Sequence, residues 1–120
     1  MENLTTKEQE IVLNCLKACM DETFFPDWEF HTLTGAEKAE VQEIIDMWPK
    51  ADFNTGYTKP LVLNVLNNLL GYPHGVTDEA WDTAIGAEPK ELDKLWEKIN
   101  GMTENDAGSG SKFFRRMQLR

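Results

Sequence analysis

The sequence predicts an all-α protein, a compact bundle of four longer helices and one short helix. Apolar residues recur at positions i, i+3, i+4 and i+7 in four separate stretches, which is the pattern of an amphipathic helix. Residues that favour helix starts and stops flank these stretches. No segment shows a convincing alternation of apolar and polar residues, so no strand is predicted.

The first stretch predicts a helix over about residues 6–22. Its apolar positions are Val12, Cys15, Leu16 and Cys19. Thr5 and Glu8 have capping-box spacing, in which the hydroxyl accepts a backbone N–H and the carboxylate reaches back to the cap. The following segment, Phe24 to Leu33, is predicted to hold an irregular turn or one short extended piece.

The second stretch predicts a helix over about residues 35–48. Its apolar positions are Val41, Ile44, Ile45 and Trp48. Thr34 and Glu37 have capping-box spacing at its start, and Pro49 ends it. The acidic residues on its outer side are a solvated face and also candidate contacts for a basic partner. They are Glu40, Glu43 and Asp46.

The remaining pattern predicts helices over about residues 59–70, 78–85 and 89–100. Their apolar positions are Val62, Val65, Leu66 and Leu69, then Trp81, Ala84 and Ile85, then Leu92, Leu95, Trp96 and Ile99. Pro60 and Pro89 suit first turns, where the N–H that proline lacks is not needed. Thr77 precedes two acidic residues, which the helix dipole favours at a helix start.

The chain divides into an acidic α-helical domain (1–104), a flexible Gly/Ser linker (105–111) and a basic, aromatic tail (112–120). The sequence has 21 acidic and 12 basic residues, and four of the basic ones lie in the tail. The residues before the tail contain no arginine and carry a formal charge of −13, whereas the tail carries +4. An acidic surface repels phosphate backbones and attracts basic groups. We therefore expect a basic protein or peptide segment as the partner, and no nucleic acid.

Other compositional features predict the compartment. No apolar run approaches the roughly 20 residues that a membrane helix needs. The N-terminal residues lack the pattern of a secretion signal, and two cysteines are too few for a disulfide framework. We expect a bacterial or phage-encoded protein of the cytoplasm, with no membrane partner.

The sequence offers little to suggest catalysis. Cys15 and Cys19 are four residues apart and could form a metal site with His31 and His74. Both cysteines lie in an apolar stripe, where a free thiol packs as a small hydrophobe, so core positions are favoured. There is no serine framed by glycines outside the linker and no glycine-rich phosphate loop. We expect no enzyme activity, no cofactor and no metal.

Asparagines and tryptophans mark two further features. Three asparagines share one side of the third helix, although asparagine is a mediocre helix former. They are Asn64, Asn67 and Asn68. Their amides either hydrogen-bond loop carbonyls inside the bundle or form an uncharged polar strip that receives a partner's backbone. We favour the internal role, because buried amides are normally satisfied within the protein. The tryptophans (Trp28, Trp48, Trp81 and Trp96) are interpreted mostly as core.

Two stretches, DWEFHTLTG (27–35) and NNLLGYPHG (67–75), carry a family resemblance. They resemble signatures of a family of small, uncharacterised bacterial α-helical proteins. The resemblance implies no activity and transfers no functional residue to this chain.

The tail, KFFRRMQLR, is typical of a peptide that docks in a groove through apolar anchors with a charged rim. Its candidate contacts are Phe113, Phe114, Arg115, Arg116, Met117 and Leu119. It is a native cationic appendage, a cloning remnant, or a partner's peptide joined through the linker. The abrupt change in composition favours the last explanation. The tail would then dock on its own domain, giving a monomer, or on a second copy, giving a tail-exchanged dimer.

The leading hypothesis is a non-enzymatic adaptor or inhibitor that binds a short basic, aromatic-rich segment in an apolar groove between helices. One alternative is an immunity-type inhibitor that covers a cationic toxin with its acidic surface. Another is an enzyme or metal protein whose site assembles only in three dimensions. A groove of peptide width favours the first, a broad acidic patch the second, and converging cysteine, histidine or carboxylate groups the third.

Overall fold

The computed structural model describes residues 4–50 and 58–101, and this part of the chain is all-α, as predicted. Its longer helices are α1 (Thr6–Cys19), α3 (Lys38–Met47), α4 (Thr58–Gly71) and α6 (Pro89–Asn100). Its shorter elements are a 3-10 turn (Asp27–Glu29), α2 (Phe30–Thr34) and α5 (Asp78–Ile85). The described residues contain no strand. None of the helices in these two ranges is both long enough and apolar enough to cross a bilayer.

Helix α4 lies at the centre of the packing. It contacts α6, α1 and α2, and α1 in turn packs against α5 and α3. The apolar face of α4 is buried through Leu61, Val62, Val65, Leu66 and Leu69. Full burial of one such side chain stabilises the fold by about 1.5–3 kcal/mol, so this face is the main reason that the other helices gather around α4.

The predicted starts of three helices are confirmed in detail. Thr5 Oγ1 accepts the Glu8 N–H at 3.0 Å, and Glu8 Oε1 accepts the Thr5 N–H at 2.9 Å, which completes the capping box of α1. Thr77 Oγ1 accepts the Ala80 N–H at the start of α5. Pro89 is the first residue of α6. Each device satisfies or avoids a backbone N–H that lacks a partner in the first turn of a helix.

The predicted end of α1 was wrong by three residues, because the helix stops at Cys19 rather than at residue 22. Asp21 Oδ1 accepts the Thr23 N–H at 2.8 Å. This side-chain turn offers the backbone an alternative to the helical hydrogen bond. Phe24 and Phe25, both buried, then fix the path of the chain towards the 3-10 turn.

The expected capping box of Thr34 and Glu37 was also wrong. Thr34 is the last residue of α2, and its buried hydroxyl donates to the Phe30 carbonyl oxygen and accepts the Ala36 N–H. Gly35 ends α2 with φ +78°, a conformation that glycine adopts without steric cost. The capping box of α3 instead joins Glu37 and Glu40, one helical turn later.

The segment from Phe24 to Leu33 was predicted to hold an irregular turn or one short extended piece. An irregular turn is present at residues 24–26, but the helical residues that follow it were not predicted. The segment contains the 3-10 turn and most of α2. Phe30 is buried and anchors α2 on the core, so tertiary packing stabilises a helix of only five residues. The short helix lies against α4.

Candidate functional site

A cleft of about 380 Å³ lies where α2 meets the C-terminal half of α4. Its lining residues are Thr32, Leu33, Asn64, Asn67, Asn68, Gly71, Tyr72 and Pro73, and we call this site the polar cleft. All of them except Asn64 belong to the two stretches that carry the family resemblance. Those stretches are far apart in the sequence, and the packing of α2 on α4 brings them together.

The asparagines are there because α2 ends against α4. The last carbonyl groups of a helix have no partner within the helix. Asn68 Nδ2 donates to the Leu33 carbonyl oxygen at 2.9 Å, and Asn64 Nδ2 donates to the Thr34 carbonyl oxygen at 3.2 Å. The internal role expected for these two amides is therefore observed, and they cap α2 from a neighbouring helix.

This capping fixes which amide atoms remain available in the polar cleft. Asn68 Nδ2 also donates to the Asn64 backbone carbonyl at 3.0 Å, so both of its N–H groups are used. Only the NH₂ end of an amide can donate to a carbonyl oxygen, which fixes the orientation of both side chains. What the two side chains retain is one N–H group and two carbonyl oxygens, so the asparagine pair is mainly a hydrogen-bond acceptor.

Tyr72 forms the far wall of the polar cleft and is held on two sides. Its ring packs edge-on against the buried Phe25, with 6.1 Å between ring centroids. A hydrogen bond to the Glu29 side chain, followed by desolvation, raises the pKa of the Tyr72 hydroxyl. Glu29 Oε1 is buried without a hydrogen-bond partner in the described part of the chain. The wall therefore combines an aromatic ring with a nearby carboxylate.

Trp28 is 80% exposed, which contradicts the interpretation of the tryptophans as core at this position. Trp81 and Trp96 are buried, and Trp48 packs half-buried against the core. Trp28 lies in the 3-10 turn that leads directly into α2, the helix that lines the polar cleft with Thr32 and Leu33. An exposed indole therefore lies in the segment that precedes the cleft.

An acidic turn flanks Trp28. The Glu22 and Asp27 carboxyl groups lie close together, and the hydrogen bond and charge of Asp27 raise the pKa of Glu22. Lys38 forms an ion pair with Asp27, and this hydrogen bond raises the pKa of Lys38. Lys38 is one positive charge beside the two carboxyl groups of Glu22 and Asp27, so the turn keeps a net negative charge.

The acidic residues predicted on the second helix do not line the polar cleft. Glu40 Oε1 accepts the Glu37 N–H at 2.8 Å, and Asp46 Oδ1 accepts from Gln42 at 2.9 Å. Glu43 and Asp46 are exposed, and Glu40 is half-buried. Their role as partner contacts stays a prediction. The tail contacts predicted at Phe113, Phe114, Arg115, Arg116, Met117 and Leu119 lie outside the described residues.

The structure does not bring together the cysteines and histidines considered as a metal site. Cys15 and Cys19 are fully buried, and desolvation raises the pKa of Cys15 strongly and that of Cys19 to about 12. His31 is exposed near Glu37, whereas His74 stacks on Trp81. Within residues 4–50 and 58–101, no three His, Cys, Asp or Glu side chains are grouped as metal ligands.

A second hollow, of about 420 Å³, lies between α1 and α6. Ile11 and Leu95 form its apolar part. Three of its lining residues are lysines, Lys7, Lys94 and Lys98, and we call it the lysine hollow. Lys98 Nζ donates to Glu8 Oε1 at 2.7 Å, and the other charged lining residues are Lys7, Lys94 and Glu91.

The described structure thus defines an all-α domain with a polar cleft between α2 and α4 and an exposed tryptophan, Trp28, in the turn that precedes α2. No protein-family model, curated protein or solved structure matches the chain. The resemblance to a bacterial family stays a prediction. Sequence reasoning had found the asparagine strip but not the cleft or the exposure of Trp28. The signal available for Trp28 was its position between two acidic residues, where a core residue is not expected.

Proposed function

We propose that this chain is a non-enzymatic protein-interaction module that binds a short basic, aromatic-rich segment of a partner protein. The polar cleft and Trp28 form the contact surface. The observation that carries the proposal is the hydrogen-bond state of Asn64 and Asn68, which donate three hydrogen bonds to backbone carbonyls and keep both side-chain carbonyl oxygens as acceptors. A surface of this kind is complementary to a donor-rich segment.

Charge supports the same class of ligand. The residues before the tail contain eight lysines, no arginine and 21 acidic residues. Such a surface raises the association rate of a cationic segment and disfavours an acidic one. The acidic turn of Glu22 and Asp27 places part of this charge beside Trp28.

The lysine hollow is a less suitable site for the basic segment than the polar cleft, although an apolar groove was expected from the sequence. That hollow has an apolar part, but three lysines line it against two glutamates, Glu8 and Glu91, so it attracts a cationic peptide less than an acidic surface does. No lysine lines the polar cleft, and the exposed Trp28 indole in the turn before α2 offers apolar area to the aromatic residues of the segment. Tryptophan is enriched among residues that contribute strongly to binding.

A second candidate function is an immunity-type inhibitor that covers a cationic protein with an acidic surface. The exposed carboxylates of α3 favour it. Within the described residues, ion pairs join Lys38 to Asp27 and Lys98 to Glu8, and His31 lies near Glu37. Glu43 and Asp46 take part in none of them and remain available to a cationic partner.

Calorimetry with a peptide of the tail sequence, KFFRRMQLR, tests the proposed function. The receptor is a chain that ends at residue 111, which removes no described residue and leaves the surface open. We expect saturable binding that weakens at high salt, since part of the attraction is electrostatic. A chain with Trp28→Ala should bind more weakly. Trp96→Phe is not a suitable control, because Trp96 is buried, so Met47→Ala serves as the exposed apolar control.

Two results decide between the candidates. Absence of binding at millimolar peptide would remove the basic-segment proposal. Binding that is insensitive to Trp28→Ala but lost in a Glu43→Gln, Asp46→Asn chain would favour the α3 surface instead.

A further inference from the structure

We propose that the polar cleft is an arginine-specific pocket that holds one guanidinium group through the side-chain carbonyl oxygens of Asn64 and Asn68. This inference rests on the proposed function, because it assigns the residue of the basic segment that the cleft takes. Its ligand class is a peptide-borne guanidinium, as distinct from the ammonium group of lysine.

The hydrogen-bond inventory selects a cation that can donate several bonds. The asparagine pair has committed three N–H groups to the carbonyls of Leu33, Thr34 and Asn64. Two carbonyl oxygens remain on lining residues. A carboxylate or phosphate offers acceptors only and would face acceptors. A guanidinium offers five donors and no acceptor, which matches what the cleft lacks.

The spacing of the acceptors favours a planar fork over a point charge. Asn64 and Asn68 are four residues apart on α4, where side chains on one face stand about 5–6 Å apart at Cβ. A guanidinium carries its donors on separate nitrogens in one plane, so it can serve both oxygens at once. An ammonium group is compact and reaches the two oxygens less readily.

The remaining walls suit the rest of an arginine side chain. Leu33 and Pro73 are apolar lining residues, and they can cover the methylene stem. Tyr72 supplies an aromatic ring, on which a guanidinium stacks. The Glu29 carboxylate behind Tyr72 has a buried oxygen, Oε1, without a hydrogen-bond partner among the described residues. Glu29 does not line the cleft, so its carboxylate adds only a longer-range attraction for a cation there.

The described residues contain no arginine that could occupy the pocket. No arginine occurs before Arg115, and the eight lysines are the only permanent cations before the tail. The arginines of the tail are the exception, so the decisive measurement uses the full chain with Arg115, Arg116 and Arg120 all replaced by Lys. This change keeps the net charge and removes every competing guanidinium.

The experiment follows the side-chain NH₂ signals of the asparagines in the ¹⁵N-labelled full-length chain. The probes are the capped tripeptides acetyl-Gly-Arg-Gly-amide and acetyl-Gly-Lys-Gly-amide, and a third with citrulline, which keeps the shape of arginine but not its charge. We expect saturable shifts of the Asn64 and Asn68 signals with the arginine probe. Both the lysine and the citrulline probe should bind about tenfold more weakly, because lysine keeps the charge but lacks the planar fork of donors, and citrulline lacks the charge.

Asn14 provides the matched control for this experiment. Its Nδ2 donates to the Ile85 carbonyl oxygen at 3.1 Å, the same kind of cap as in the cleft, but it does not line the cleft. Its signal should not shift with any probe. Asn64→Ala should reduce the affinity for the arginine probe about tenfold, and Asn14→Ala should leave it unchanged. Asn64 is an exposed residue, so its replacement leaves the buried core intact.

Equal affinity for the arginine and lysine probes would overturn the inference, and so would unshifted Asn64 and Asn68 signals. The calorimetric test above separates this failure from that of the proposed function. If KFFRRMQLR binds but the Asn64 and Asn68 signals do not shift with the arginine probe, the proposed function is supported and the arginine pocket is contradicted. If the tripeptide shifts the cleft signals but KFFRRMQLR does not bind, the pocket stands and the segment-binding function falls.

Discussion

Two helix ends in this protein are capped by the same device, but only one of them lies beside a cleft. At the end of α2, Gly35 has φ +78° and amides from α4 donate to the Leu33 and Thr34 carbonyls. At the end of α5, Gly86 has φ +76° and Asn14 of α1 donates to the Ile85 carbonyl. In both places a neighbouring helix supplies the partner that the last carbonyls lack.

The comparison shows which part of the asparagine strip requires a functional explanation. A single asparagine suffices to cap α5, and Asn14 is half-buried with no hollow lined by it among those described. The end of α2 has two asparagines one turn apart and a cleft of about 380 Å³ in front of them. Capping therefore explains the residue type at Asn14, Asn64 and Asn68, whereas it does not explain the open volume in front of Asn64 and Asn68 at the end of α2.

The largest expected effect concerns α1, which carries Asn14 and packs against both α4 and α5. Cys15 and Cys19 on this helix are fully buried, and desolvation raises the pKa of both thiols. The thiolate is the reactive form, so modification requires opening of the fold. We expect a thiol reagent to react at least about a thousandfold more slowly with the native protein than with the unfolded chain.

This prediction is checked by stopped-flow labelling with and without denaturant. The variants Asn68→Ala, at the end of α2, and Asn14→Ala, at the end of α5, should be labelled faster in proportion to their loss of unfolding free energy. Rapid labelling of the native protein, or a stoichiometric zinc ion removed by a chelator with a fall in Tm, would contradict the core role of the cysteines.

The second prediction compares the two caps directly. Asn68→Ala leaves the Leu33 carbonyl without its donor and removes two hydrogen bonds, so we expect a loss of about 2 kcal/mol of unfolding free energy. Asn14→Ala removes one bond of the same kind and should cost about 1 kcal/mol. Urea denaturation of both variants measures the difference. A larger loss of unfolding free energy for Asn14→Ala would contradict this prediction and show that the cap of α5 stabilises the protein more than the cap of α2.

The sequence predicted most of the fold because local signals determine it. The helix at residues 78–85 begins at its predicted cap, Thr77, and the helix at 89–100 begins at Pro89. Both signals act within one turn of the backbone. The wrongly predicted capping box at Thr34 shows the limit of such signals. The sequence alone did not show whether Gly35 ends one helix, as it does for α2, or belongs to the next one.

The site could not be predicted in the same way, because it depends on contacts between distant residues. Asn64 and Asn68 were recognised as unusual, but their partners lie 30 and 35 positions away. Helix α2 is too short to show an apolar stripe, so nothing in the sequence placed its last carbonyls against α4. Trp28 stays exposed because the chain covers the core with Phe24, Phe25 and Phe30 instead.

A smaller effect distinguishes the two glycines. A Cβ at residue 35 would lie 3.3 Å from Asn64 Nδ2, whereas one at residue 86 would lie 3.6 Å from Asn14 Nδ2. Both substitutions by Ala share the cost of a left-handed conformation, about 1–2 kcal/mol. Gly35→Ala should cost up to about 1 kcal/mol more, since the Asn64 amide must shift away from the Thr34 carbonyl. Thermal unfolding of the two variants gives this difference. Equal Tm values would show that the Asn64 side chain can move away from residue 35 without loss of stability.

The smallest effect is expected at the lysine hollow, where an ion pair replaces the amide cap. Lys98 and Glu8 are 39% and 28% exposed, so solvent screens their attraction and Lys98→Met should cost at most about 1 kcal/mol. The hydrogen bond from Lys98 lowers the pKa of Glu8 in the folded state. The contribution of the pair is therefore fully present above the ordinary glutamate pKa and is lost as the pH falls through the lower, folded value.

The difference in unfolding free energy between the parent chain and Lys98→Met should consequently be constant at neutral pH and vanish in acid. Lys94→Met, in the same hollow but without this pair, is the control and should show no such pH dependence in its difference. Urea denaturation at several pH values measures both. A loss for Lys98→Met greater than that for Asn68→Ala would reverse the ranking, because a solvent-screened charge pair would then stabilise the protein more than the partly buried carbonyl cap beside the polar cleft.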